Sequence, residues 1–235
     1  MLTVGHISEY FRALHFDGEG HRYKVNGNEL PSVSGMIKKV APEFNREEIA
    51  ERKARKLGIP VQALYDEWDN IAKEACDRGH RVHDFGEAYV YDPTLEPSCG
   101  QERAIVKFWK EVPPHIVPVA LEIRMYHKLF GYAGTADIVL YNKMDGTYII
   151  ADYKTNRDLF KNFKGQTLKY PFNNMLATPF SKYTIQLSYY QLLLEQMGIK
   201  VSARKLIWLR TNGEYEMFDL EDKSPTLRHE LLSRN

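Results

Sequence analysis

Apolar positions along the chain recur at two different spacings, and these mark out its elements. Residues 21–33 read as a hairpin: Tyr23 and Val25 alternate with polar neighbours, Asn26-Gly27-Asn28 supplies the turn, and Leu30 to Val33 returns. A helix is predicted from Ser34. Residues 43–57 carry apolar side chains only at wide intervals, which predicts an exposed helix bearing Arg46, Arg52, Lys53, Arg55 and Lys56 and stopped by Gly58-Ile59-Pro60. Residues 61–91 read as helix in two parts, with Ile71, Ala75, Val82 and Phe85 near helical spacing, Gly79 a weak point, and Asp92-Pro93 the end. A helix over about 100–111 and a joint at Pro113 and Pro114 follow. The period then changes to two: strands are predicted over 116–126, 135–141 and 147–153, with Asp145-Gly146 as a two-residue turn between the last two. Helical spacing returns over 182–197 through Ile185, Tyr189, Leu192 and Leu193, closed by Gly198, before strands over 205–209 and 214–218. The order implies an α/β protein with a central mixed sheet, residues 66–235 forming the core and residues 1–65 a hairpin and helical extension.

Composition narrows the class. Hydrophobic residues at 43% and charged residues at 27% are ordinary for a globular chain, and no apolar run approaches the ~20 residues of a membrane helix. The N-terminus lacks an apolar leader and an Arg-rich, acid-free bias, so a cytoplasmic location and no membrane partner are expected. Cys76 and Cys99 stand far apart, too few for an iron–sulfur cluster and unlike a zinc pair, which suits a reducing compartment. No Gly-rich loop ending in Lys-Ser or Lys-Thr is present, so ATP is not an expected cofactor. The net charge of +1 leaves nucleic acid open as a partner, because the distribution of charge matters more than its total.

The chemistry concentrates in the strands. Alternation puts Asp152 and Lys154 on one face while Tyr153 points to the other. With Asp145 and Gly146 as the loop, Met144 faces Thr147, Asp137 falls opposite Lys154, and Asp152 lies diagonal to Asp137, at separations of about 5 Å and ~7–8 Å. A one-residue slip would turn Asp137 to the wrong side. Converging carboxylates repel and lose hydration, so such a pair normally holds a cation, with Mg2+ the natural candidate and Glu122 a possible third carboxylate. Taken singly, Asp137 reads as a solvated strand-end acid, Lys154 as a snorkelling surface lysine and Glu122 as part of an exposed strand face. Their register beside Ile138, Val139, Ile149 and Ile150 argues against a solvated face.

Over residues 78–210 the sequence resembles the RecB-type branch of the PD-(D/E)XK nucleases, which includes phage exonucleases. The motifs are Gly79 to His83 in RGHRVHDF, Glu122 in ALEIRMY, Gly134 to Asp137, the Asp-x-Lys of Asp152 to Lys154, and Gln186 to Tyr190 in TIQLSYYQ. LPSVSGMI, near the N-terminus, resembles a segment of phage and mitochondrial single-strand exonucleases. The resemblance implies a restriction-endonuclease-like core and metal-dependent hydrolysis of DNA phosphodiesters. His83, Asp137, Asp152 and the backbone carbonyl of Tyr153 would hold the metal, Lys154 would serve the attacking water, and Glu122 would bind a second metal or its water. Gln186 and Tyr190 would contact DNA. Only the family spacing selects His83 over His80, and a nitrogen ligand would let Mn2+ replace Mg2+. The same resemblance implies an exonuclease acting on single-stranded or duplex ends, with a recombination or replication protein as a possible partner. A restriction-like endonuclease and a non-catalytic DNA-binding module are the alternatives.

Between the Asp-x-Lys strand and the following helix, Lys161, Lys164 and Lys169 alternate with Phe160, Phe163, Tyr170 and Phe172. A loop of that length is unusual unless functional, and cations among aromatics suit single-stranded DNA. A surface arm packing its own aromatics is the equal alternative.

Overall fold

The computed structural model describes residues 1–233. Its N-terminal part begins with α1 (Val4–Tyr10) and a three-stranded antiparallel sheet of β1 (Leu14–Asp17), β2 (Arg22–Val25) and β3 (Asn28–Leu30). The predicted hairpin is β2–β3, with Val25 paired to Asn28 across Asn26-Gly27. Ser32 then caps α2 (Val33–Val40) by accepting from the Gly35 N–H, so the helix starts one residue before the predicted Ser34. Asn45 caps α3 (Arg46–Leu57).

The helix α4 (Val61–Tyr91) is continuous, where the sequence predicts two parts. A single glycine costs a helix roughly 1 kcal/mol, which a run of 31 residues absorbs without breaking. Then follow α5 (Gly100–Glu111), β4 (Ile116–Tyr126), β5 (Ala133–Asn142), β6 (Thr147–Lys154), α6 (Pro179–Glu195), β7 (Val201–Leu209), β8 (Tyr215–Asp219) and α7 (Ser224–Leu232). Among the described residues, no helix is long and apolar enough to cross a membrane.

The five long strands form one sheet in the order β4-β5-β6-β7-β8, antiparallel except for the parallel β6–β7 pair. That parallel pair requires a crossover, and α6 provides it. One sheet face buries Val139, Ile150 and Leu206 against α1, α2, α6 and α7; the other buries Ile138, Ala151 and Ile207 against Val82 of α4 and Ile105 and Phe108 of α5. Helices thus cover both faces of a mixed sheet, as expected from the sequence.

The β5–β6 register differs from the predicted one. The ladder closes at Asn142 with Thr147, so the loop has four residues, 143–146, and not only Asp145-Gly146. The Asp145 carboxylate accepts from both the Thr147 N–H (3.0 Å) and hydroxyl (2.7 Å), and the Gly146 N–H donates to the Asn142 carbonyl (2.9 Å). The last pair is Ile138 with Ala151, which leaves Asp137 next in line to Asp152 and not opposite Lys154. The displacement is two residues, a full side-chain period, so every residue keeps its predicted face.

Candidate metal centre

Two glycines bring the surrounding helices close to the sheet. A Cβ on Gly86 would lie 2.8 Å from Tyr153 Cε2, and one on Gly134 would lie 2.7 Å from Tyr190 Cε1 and 3.0 Å from Val33 Cγ2. Without side chains there, α4 settles against β6 while β5 settles against α6 and α2. The Tyr153 ring that receives α4 is itself held, its hydroxyl accepting from Trp109 Nε1 at 2.7 Å.

This approach delivers His83 to the carboxylates. Its Nδ1 lies 3.1 Å from Asp137 Oδ2 and 3.7 Å from Glu122 Oε1. One ligand atom from each of His83, Glu122 and Asp137 lies within 4.8 Å of the others. Glu122 sits between the pairs Leu121–Ile138 and Ile123–Ala136, just past a bulge, with φ at 45°. Asp137 also accepts from the Tyr153 backbone N–H at 3.2 Å, which ties β5 to the residue between Asp152 and Lys154.

Asp152 is fully buried, and the Lys154 ammonium lies against its Oδ2 as an ion pair, while Oδ1 has no hydrogen-bond partner. Burial and the neighbouring Asp137 hold its carboxyl above the usual carboxylate range. Asp137 goes the other way: burial works against its charge, but His83 and Lys154 outweigh it and lower the carboxyl. Burial likewise opposes a charge on His83, yet Asp137 and Glu122 raise it to about 10. A proton on His83 therefore balances the acids, and a metal ion binding there must displace it.

A buried carboxylate with one unpartnered oxygen, beside further oxygen donors and one imidazole, fits a small divalent cation that prefers oxygen ligands. His83, Glu122 and Asp137 form the close cluster, and Asp152 stands beside it, engaged by Lys154. His80, one turn before His83, is exposed beside Cys76 Sγ at 3.8 Å.

The remaining candidates are placed less uniformly. Gln186 donates to the Tyr190 hydroxyl at 2.7 Å, and Tyr190 is buried. Lys161 and Lys164 are exposed, the latter with its ammonium 5.4 Å from the centre of the Phe163 ring. Lys169 is tied to the joint between α2 and α3, its ammonium 2.8 Å from Glu43 and its N–H donating to the Val40 carbonyl. The aromatics divide: Phe172 is buried, Phe160 packs on Phe180 and Phe218, and Phe163 and Tyr170 stay exposed. Tyr183, passed over in the sequence, puts its ring 4.8 Å from the Lys154 ammonium. The one signal for it was its position three residues before Gln186, on the same side of the helix.

A family model of the PD-(D/E)XK nuclease superfamily matches residues 47–232, a span that takes in every strand of the large sheet, all four acidic and basic residues at its centre, and α4 with His83. No curated protein matches the chain. With most of its length matched and a mixed sheet flanked by helices carrying the Asp-x-Lys strand, the chain belongs to the PD-(D/E)XK nuclease superfamily.

Proposed function

We propose that this protein is a divalent-metal-dependent deoxyribonuclease that degrades DNA from its ends, in recombination, replication or repair. The observation that carries the reading is the convergence of His83, Glu122 and Asp137 within 4.8 Å, next to the buried Asp152–Lys154 pair. The exonuclease assignment is supported by the resemblance of Gly79 to His83 and Gln186 to Tyr190 to motifs of the RecB-type and phage exonuclease branch.

In this reading His83, Asp137, Asp152 and the Tyr153 carbonyl hold Mg2+, or Mn2+ in its place, and Glu122 serves a second ion or its water. When bound, such a cation withdraws charge from a phosphoryl oxygen and makes water a better nucleophile at neutral pH. Lys154 orients the attacking water and stabilises the charge that develops on the phosphate. Although burial works against its charge, Asp152 and Asp137 raise Lys154 above the ordinary lysine range, so it is poorly suited to act as a general base. Gln186 contacts DNA beside the scissile phosphate, steadied from behind by the buried Tyr190, and the exposed Lys161 and Lys164 guide the strand.

The test compares end-labelled linear DNA with closed circular DNA, with and without Mg2+. Loss of label from linear DNA only, dependent on metal, is the expected result, and nicking of the circle would replace the exonuclease with an endonuclease. Asp137→Asn and Lys154→Ala should abolish cleavage while DNA binding stays measurable, because phosphate contacts away from the centre give most of the affinity. Near-wild-type turnover in either variant would refute the site assignment.

A further inference from the structure

We infer that Tyr183 is a positioning residue for Lys154, holding its ammonium in place when Asp152 turns to a metal ion; this rests on the nuclease reading above. A lysine ammonium sits on four rotatable carbons and has no preferred direction of its own. Two groups restrain it here, the Asp152 carboxylate on one side and the Tyr183 ring on the other, with Nζ 4.8 Å from the ring centre. The Lys154 side chain is only 14% exposed, so little water remains to substitute for either group.

The ring is fixed in turn. The Tyr183 hydroxyl donates to Asn156 Oδ1 at 2.8 Å, and the Asn156 carbonyl accepts from Trp208 Nε1 at 2.7 Å. Trp208 pairs with Lys154 across the parallel β6–β7 ladder, so the chain leaves β6 and is stapled back to the adjoining strand within two residues of the lysine. The staple joins α6, β6 and β7 around a single ammonium. Tyr183 packs on the same helix as Gln186 and Tyr190, so the helix proposed to touch DNA also fixes the lysine.

The two restraints differ in what they can do besides hold Lys154. Asp152 has lone pairs that a divalent cation would recruit, weakening its hold on the ammonium. The face of an aromatic ring offers a cation–π contact and no ligand to Mg2+, so its restraint persists when the site is loaded. Tyr183 is therefore the partner left to orient Lys154 during hydrolysis.

The experiment uses Tyr183→Phe, Tyr183→Leu and Asn156→Ala in the full chain, with two readouts. With saturating Mg2+ and no DNA, trace acetylation by acetic anhydride followed by mass spectrometry reports the freedom of the Lys154 amine. Labelling should rise several-fold in Tyr183→Leu and stay near wild type in Tyr183→Phe. On end-labelled DNA with Mg2+, Tyr183→Leu should lose on the order of 10–100-fold in kcat with KM nearly unchanged, while Tyr183→Phe and Asn156→Ala lose only a few-fold, since the ring is kept. Unchanged Lys154 labelling in Tyr183→Leu, an equal kcat loss in Tyr183→Phe, or a loss confined to KM each overturns the inference. Should wild-type protein cleave no DNA with Mg2+ or Mn2+, the nuclease reading fails on its own, and the labelling alone decides whether Tyr183 restrains Lys154. Tyr183→Met, which fills the space of the ring without an aromatic face, keeps the test decisive if Tyr183→Leu is poorly folded, since its labelling and kcat should change in the same way.

Discussion

At Glu122 the backbone adopts φ 45°, a left-handed conformation that costs an L-residue with a Cβ roughly 1–2 kcal/mol. Strain of this kind persists only where surrounding structure over-determines it, and here the sheet on either side is fixed by the pairs Leu121–Ile138 and Ile123–Ala136. The strain aims a carboxylate at His83 and Asp137, and its cost can be measured. Glu122→Ala and Glu122→Gly both remove the acid, but only glycine relieves the backbone. Glu122→Gly should therefore be more stable in urea unfolding than Glu122→Ala by about 1 kcal/mol, despite the usual penalty of glycine in a strand. The opposite order would mean that the left-handed turn at this residue does not exist. His127 gives a second measurable effect. It is buried, stacks on Tyr132 and accepts from the Phe130 N–H through Nδ1 at 3.2 Å; burial, aided by Arg228, lowers it to about 4. Between its ordinary value near 6.5 and about 4 the unfolded chain takes up a proton that the folded chain does not. Stability should accordingly fall as pH drops through that window and level off below it, by roughly 2–3 kcal/mol in all. His127→Asn keeps an acceptor near the Nδ1 position and should flatten the pH dependence; a curve parallel to wild type would rule the histidine out as its source.

Whole elements were legible where they were long and periodic or, like the β2–β3 hairpin, marked by a turn, and were lost where they were short and carried no such mark. The large sheet and the helices α3 to α6 follow from apolar spacing, whereas α1, β1 and α7 went unread. Seven residues in α1 and four in β1 give too few repeats to establish a period, and these pieces hold together by docking, as with fully buried Ile7. A trace of α7 was present in Pro225 and in Leu227 and Leu231 four residues apart, both buried. Site geometry shows the same division. Face parity of Asp137, Asp152 and Lys154 survived a register error of two residues because strand alternation repeats every two, but the cross-strand partner did not. Tyr183 and Trp208 reach the end of β6 from elsewhere in the chain, and no local pattern announces such a meeting. The motif glycines carry different loads, and a pair of substitutions separates them. Gly134→Ala drives a methyl into the Tyr190 ring and the Val33 side chain and should destabilise the fold by about 1–3 kcal/mol. At Gly79 a methyl would meet only Thr155 Oγ1, at an ordinary 3.8 Å, so Gly79→Ala should raise stability by roughly 0.5–1 kcal/mol through helix propensity. Equal melting shifts in the two variants would contradict this packing.

For the molecule as a whole, the proposed metal centre should give up stability while no ion is bound. Asp137 already engages His83 and the Tyr153 N–H, whereas Asp152 is answered by the Lys154 ammonium alone and keeps one oxygen without a partner. Mg2+ at ~100-fold over its Kd would add about 2.7 kcal/mol if it binds the native state alone. Asp152→Asn takes an oxygen ligand from the site and should gain little stability when Mg2+ is added. A wild-type-sized gain with Mg2+ in Asp152→Asn would remove that residue from the ion's ligands. The ligand histidine proposed for the same centre is carried on α4, which extends about 46 Å at helical rise. Between Leu64 and Val82 none of its residues is buried. Its outer end is gripped by α3 through Arg46, which binds Asp69 at 2.7 Å and covers the Tyr65 ring, and through Lys53 over Trp68. Mechanically this is a beam held at both ends, seated against the sheet at Gly86 and gripped by α3 at the other end. A push on the outer helix pair is thereby carried along one continuous helix toward the imidazole.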